Sequence, residues 1–100
     1  MAANFKIQIF RNSENIHLKL SGDFDGNSAY ELINTINGLS YKAKLFVHTS
    51  SLKQLNDFGL EVFRKNLPSL NVRPASCWFT GDKANELIPD KNTTFVVAYQ

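Results

Sequence analysis

A repeated change of hydrophobic period along the chain is what most constrains how this sequence folds. Phe5 to Arg11 sets Phe5, Ile7 and Ile9 against Lys6, Gln8 and Phe10, the two-residue period of a strand with one polar face. Asn12-Ser13-Glu14-Asn15 is turn-forming, and Ile16-His17-Leu18-Lys19-Leu20 alternates again. Two alternating runs separated by four residues predict an antiparallel hairpin. Ser21 to Asn27 breaks the pattern, and the period then lengthens: Ala29, Leu32, Ile33 and Ile36 fall at helical spacing. Ser28-Ala29-Tyr30-Glu31 reads as a capping box opening that helix, and Asn37-Gly38 as a left-handed stop closing it.

The same switch recurs downstream. Ala43 to His48 is a short, continuously apolar run, as expected of a central strand buried on both faces. A polar loop, Thr49 to Leu55, then leads to a second helix from about Asn56 to Leu67. Gly59, Leu60, Phe63 and Leu67 share its buried face, and Pro68 closes it. Cys77-Trp78-Phe79 is a third buried-strand candidate. Asp82 is expected to cap a short helix carrying Ala84, Leu87 and Ile88 and ended by Pro89; Phe95 to Tyr99 makes the last strand. The order is β-β-α-β-α-β-α-β. Strands that alternate with helices pair in parallel through right-handed crossovers. The expected fold is therefore α/β, with a mixed, mostly parallel sheet whose first strand is antiparallel. No linker-like stretch interrupts it, so residues 1–100 read as a single small domain.

Composition narrows the function classes. Eleven Lys plus Arg against nine Asp plus Glu leave a formal charge of +2, and basic residues never cluster beyond Arg64-Lys65, so no nucleic-acid partner is expected. No apolar run approaches the roughly 18 residues that span a bilayer, and Met1 to Phe5 lacks a basic flank before an apolar core. A cytoplasmic location without direct membrane insertion is the expectation. The single cysteine, Cys77, rules out an internal disulfide and an all-cysteine metal site, and beside Trp78 it reads as a core thiol. His17 and His48 fall on different strands without a third ligand, which reads as surface or partly buried histidine. No metal or cofactor is expected. The aromatic residues follow strand and helix periods, which reads as core, not a base-stacking platform.

Asp23-Phe24-Asp25 after a strand has the spacing of the aspartate pair in phosphatases of the haloacid dehalogenase type. The preceding strand alternates, however, and the chain is too short to supply the later lysine and paired aspartates. An EF-hand opened by Asp23 fails because Ser28 and Asn34 stand where Gly and Glu are needed. No catalytic residue is assigned, and the chain reads as a non-enzyme.

The informative stretch is Thr49 to Leu60, where the loop enters the second helix through Leu55-Asn56-Asp57-Phe58-Gly59-Leu60. Asn56 or Asp57 serves as cap. Gly59 in the first turn permits a close approach of the helix, at a propensity cost of about 1 kcal/mol. Loops at the carboxyl ends of strands are also where partners of α/β folds commonly bind.

Two signatures here resemble the STAS domain, the family of bacterial anti-sigma factor antagonists. One is Ile16 to Leu20 followed by Ser21-Gly22-Asp23-Phe24-Asp25, similar to the family's strand followed by Gly, an acidic residue, an apolar one and Asp. The other is Leu45-Phe46-Val47 and, after eight residues, Asn56-Asp57-Phe58-Gly59-Leu60, similar to the family's Asp-Ser-Ser-Gly-Leu helix start. The likeness runs from Phe5 to Tyr99 in element order and spacing. It implies a non-enzymatic regulatory interaction module. In the family, the first serine of that motif is phosphorylated by a partner that is both serine kinase and anti-sigma factor.

Asn56, Asp57 and Phe58 here align with the family's Asp, Ser and Ser, so Asp57 occupies the phosphoacceptor position. It carries about one negative charge where phosphoserine carries about −1.5 to −2. Ser50 and Ser51, earlier in the same loop, are substitute acceptors or ordinary polar loop residues. The implied partner surface comprises Ser50, Ser51, Asn56, Asp57, Phe58 and Gly59, bordered by Asp23 and Asp25. Phe58 is either an outward anchor or a plug beneath the helix. Family members continue into a further helix beyond the last strand, so an apolar face is expected to be left to a partner or to a second copy in a homodimer. STAS-like proteins also act as accessory subunits of membrane transporters that handle lipids or small ligands, the alternative role for this chain.

Overall fold

The two alternating runs at the start form the expected antiparallel pair in the computed structural model, which describes residues 4–12, 14–39, 43–71, 76–88 and 96–98. Strand β1 (Lys6–Arg11) lies beside β2 (Asn15–Phe24), from Lys6 opposite Ser21 to Arg11 opposite Ile16. β2 continues to Phe24, through residues expected to break the pattern. Ser21 and Asp23 keep to one face while Gly22 and Phe24 keep to the buried one. Gly22 sits at a φ of 87°, and a Cβ there would fall 2.3 Å from the Asn4 carbonyl oxygen. Only glycine admits both that backbone and the chain crossing it.

Helix α1 (Gly26–Asn37) begins earlier than the capping box predicts. Asp25, not Ser28, is its N-cap: the Asp25 carboxylate accepts from the Ser28 backbone N–H at 2.9 Å and from the Ser28 hydroxyl at 3.0 Å. Nor is Gly38 left-handed; its φ of −87° continues the right-handed backbone. Strand β3 (Lys44–Leu55) absorbs the expected polar loop, because the long β2 offers a partner all the way to Phe24 opposite Leu55, with register shifts after Lys19 and Gly22. Ser50 and Ser51 are therefore strand residues. Helix α2 (Asp57–Asn66) follows with Asn56 as its cap and runs into a 3-10 turn, Leu67–Ser69, that holds Pro68. Strand β4 (Cys77–Thr80), the short helix α3 (Ala84–Leu87) and strand β5 (Val96–Ala98) complete the order. Asp82 does not cap α3; Lys83 holds that position without a side-chain bond. Pro89, Phe95 and Tyr99 lie outside the described residues.

The strands stand in the sheet in chain order, β1 to β5, with β2 through β5 parallel. With neighbours joined in chain order, the right-handed rule for parallel crossovers puts the helices on one face, and buried residues of α1, α2 and α3 share one core there. Leu18, Val47 and Phe79 lie in register across β2, β3 and β4, fully buried with Leu32 and Ile36 of α1, Phe63 of α2 and Leu87 of α3. Phe5, Phe24, Phe63 and Phe79 link edge-to-face through it, with centroids 5.8 to 6.2 Å apart.

The opposite face corrects two expectations. β3 is not buried on both sides: Phe46 and His48 are half-buried there, beyond the reach of the helices. Nor are all the aromatic residues core, since Phe10, Phe46 and Trp78 project from this second face, which no helix covers among the described residues.

Candidate functional site

Both long helices start where their strands end, side by side. Asn56 donates its backbone N–H to the Phe24 carbonyl at 2.8 Å, tying the end of β3 to the end of β2. Its side-chain carbonyl then accepts from the Phe58 and Gly59 N–H groups at 2.9 and 3.2 Å, satisfying two of the helix's orphan donors. Asp25 likewise caps α1, its carboxylate accepting from the Ser28 N–H and hydroxyl. The two caps approach closely because residue 59 is glycine: a Cβ there would lie 2.6 to 2.9 Å from the backbone of Asp25.

A cleft of about 480 Å³ opens between these helix starts, walled by Asp23, Asp25, Gln54, Asn56 and Asp57. Asp23 is held by Asn4, whose side-chain carbonyl accepts from the Asp23 N–H at 3.2 Å. Asp57 stands in the first turn of α2, exposed, where its charge opposes the positive end of the helix dipole. Phe58 is 64% exposed, so it is no plug beneath the helix. Its ring lies over Gly26, where an added Cβ would come within 2.8 Å of it.

The structure thus gathers Asp23, Asp25, Asn56, Asp57, Phe58 and Gly59 at one end of the molecule and separates Ser50 and Ser51 from them. The two serines line clefts on the open sheet face instead, and Ser50 abuts Gly81.

That open face holds residues read from the sequence as unremarkable. His17 Nδ1 and His48 Nε2 are 2.9 Å apart, and His48 Nδ1 is 2.6 Å from the Thr80 hydroxyl. Trp78, Phe46 and His17 stack across β4, β3 and β2 with centroids 4.9 and 4.8 Å apart and planes within 11°. Positions 17, 46 and 78 each sit between two buried apolar neighbours, but only around His17 does the sequence itself alternate; Leu45-Phe46-Val47 and Cys77-Trp78-Phe79 are continuous apolar runs. Among the described residues no three His, Cys, Asp or Glu side chains converge as a metal site. Burial pushes the Cys77 thiol up to about 12, which leaves it an unreactive core group.

Burial, and then the neighbouring His17, lower the pKa of His48 from its ordinary 6.5. The unfolded chain therefore takes up this proton before the folded one does. The contribution to stability is complete above pH 6.5 and is lost as the pH falls through that value toward the lowered folded one. Urea unfolding at pH about 7.5 and about 5.5 should show a larger loss for the wild type than for His48→Gln. Equal losses would remove His48 from the pH dependence.

No protein-family model matches the sequence, and no curated protein matches it. A solved structure does: an uncharacterized protein from the DUF3478 family with a SpoIIAA-like fold, from Shewanella loihica PV-4. It matches with a TM-score of 0.55 and 13% identity, over 100% of this chain and 90% of that one. The fold is STAS-like. In this STAS-like frame the cleft between the two helix starts is built from the second family-like signature and the end of the first. At 13% identity the likeness carries the architecture alone. No helix among the described residues is long and apolar enough to cross a membrane.

Proposed function

We propose that this STAS-like domain is a non-enzymatic protein-interaction module of the anti-sigma factor antagonist kind, docking its partner on the start of α2. The observation that carries the reading is Phe58, an apolar ring 64% exposed in the first turn of α2 beside Asp57, which lines the polar cleft between the helix starts. An exposed aromatic anchor ringed by polar groups has the composition of an interaction hot spot. Asp57 beside it supplies fixed negative charge at the position where the family takes phosphate, so binding is set without a phosphorylation step there. Asp25 and Asn56 are occupied as helix caps and serve the surface by holding its shape. The expected partner is a protein of the serine-kinase and anti-sigma factor type.

Capture from native cells with tagged wild type and with Phe58→Ala tests the reading. A co-purifying protein of that type should be lost from Phe58→Ala by at least about 30-fold, the size of a 2 kcal/mol anchor. The exposed side chain makes the fold indifferent to the change, which an unaltered melting temperature would verify. Capture by Phe58→Ala and by Asp57→Ala at the wild-type level would defeat the assignment.

A further inference from the structure

The open face of the sheet carries a second site, built from other residues than the α2 surface and independent of its reading. Its aromatic row runs Trp78, Phe46, His17 across three strands, rings parallel and upright. On the β1 side the row stops. Phe10 is the register partner of His17, yet it stands 54% exposed and makes no ring contact with it. Both line a cleft of about 370 Å³, bounded also by Lys19, His48, Ser50 and Ser51. Phe46 covers one face of the His17 imidazole, and the cleft adjoins the side toward Phe10. A planar ring placed there would extend the stack and shield Phe10 from water.

The polar groups are sorted along the strands. Lys19 and His48 stand one row beyond Phe10 and His17, and the two serine hydroxyls follow. Ser50 and Ser51 also line a wider cleft of about 770 Å³ that adds Lys6, Lys53 and Ser21, so the two clefts meet at these serines in a groove along the strands. None of Lys6, Lys19 and Lys53 has an ion-pair partner among the described residues, whereas Lys65 and Lys83 each do. Asp23, farther along β2, has its carboxylate engaged by Asn4. The groove is thus apolar and ring-shaped at one end, cationic and hydroxylated at the other.

We propose that this groove binds a small aromatic carboxylate, its ring inserted between Phe10 and His17 and its carboxylate received by Lys19 with Ser50 and Ser51. Stacking holds the flat body, and the ammonium and hydroxyl donors fix its direction.

Titration of the 15N-labelled protein by NMR with 2-naphthoate and with the neutral 2-naphthalenemethanol tests this. Saturable shifts should centre on Phe10, His17 and Ser50, and the alcohol should bind at least about fivefold more weakly. Lys19→Ala should erase the preference for the acid, and Phe10→Ala should weaken both probes; both side chains are exposed, so the core is untouched. Absence of saturable binding, equal affinity for acid and alcohol, or shifts centred on the start of α2 would each overturn the proposal. The last result would leave the α2 surface as a ligand site without touching its role toward a protein partner.

Discussion

Phe63→Ala should remove about 3–5 kcal/mol of folding stability, a large part of the roughly 5–15 kcal/mol available to a small domain. Phe63 is wholly buried and is the middle link of the aromatic chain, 6.2 Å from Phe24 and 5.9 Å from Phe79 by centroid. Truncation deletes both edge-to-face contacts at once and opens a void among β2, β4 and α2. The neighbours that would have to close it are themselves pinned in strands, so little of the loss is recovered by collapse. Phe46→Ala is the matched control. That ring is half-buried on the open face and stacked on His17 and Trp78, so its loss should cost roughly half as much or less. Urea midpoints of both variants decide the matter, and a Phe46 effect equal to that of Phe63 would mean that the open face is covered by a second layer.

The contrast between these two phenylalanines marks what was legible in the sequence. Element order, the antiparallel first pair and parallel remainder follow from period switching, because a face that must be buried leaves a period. Which residues lie on the second face does not follow from the run Leu45-Phe46-Val47 alone. A strand buried on both sides and a strand half-covered by stacked aromatics have the same letters. Only the strand order, here sequential, sends every helix to one side and leaves Phe46 on the other. The length of β3 is hidden for a related reason. Thr49 to Leu55 is polar enough to read as loop, but Thr49 is wholly buried, its hydroxyl donating to the Thr80 carbonyl at 2.8 Å, and the strand persists through it. Ser28 and Asp25 are both competent caps for α1, three residues apart, and what separates them is where β2 ends. The α2 start was the readable part of the site, because Asn56, Asp57 and Gly59 carry the local chemistry of a helix beginning. The pairing of His17 with His48 across two strands depended on register and had no local sign.

Gly59→Ala should destabilise the domain by about 1–3 kcal/mol, against the direction that helix propensity alone would give. In a solvent-facing helix the change from glycine to alanine gains about 1 kcal/mol. Here the new methyl would stand 2.6, 2.7 and 2.9 Å from the carbonyl carbon, oxygen and Cα of Asp25. Those are backbone atoms fixed by the α1 cap and cannot rotate aside, so α2 must lift from the β2–α1 junction. Gly38→Ala supplies the opposite sign. Its φ is −87°, the nearest atoms to an added Cβ are 3.5 and 3.6 Å away, and the substitution removes unfolded-state freedom, worth about 0.4–1 kcal/mol of stabilisation. With about 4–8 °C of melting temperature per kcal/mol in a domain of this size, the two variants should move apart in a thermal scan. The lifting has a further consequence at the surface. Phe58, which lies over Gly26, and Asp57 beside it would be displaced together, so Gly59→Ala should weaken partner capture even at temperatures where the protein is fully folded. A Gly59→Ala protein that melted above the wild type would show that the two helix starts do not meet at Asp25, and the shared architecture of the proposed surface would fall with that contact.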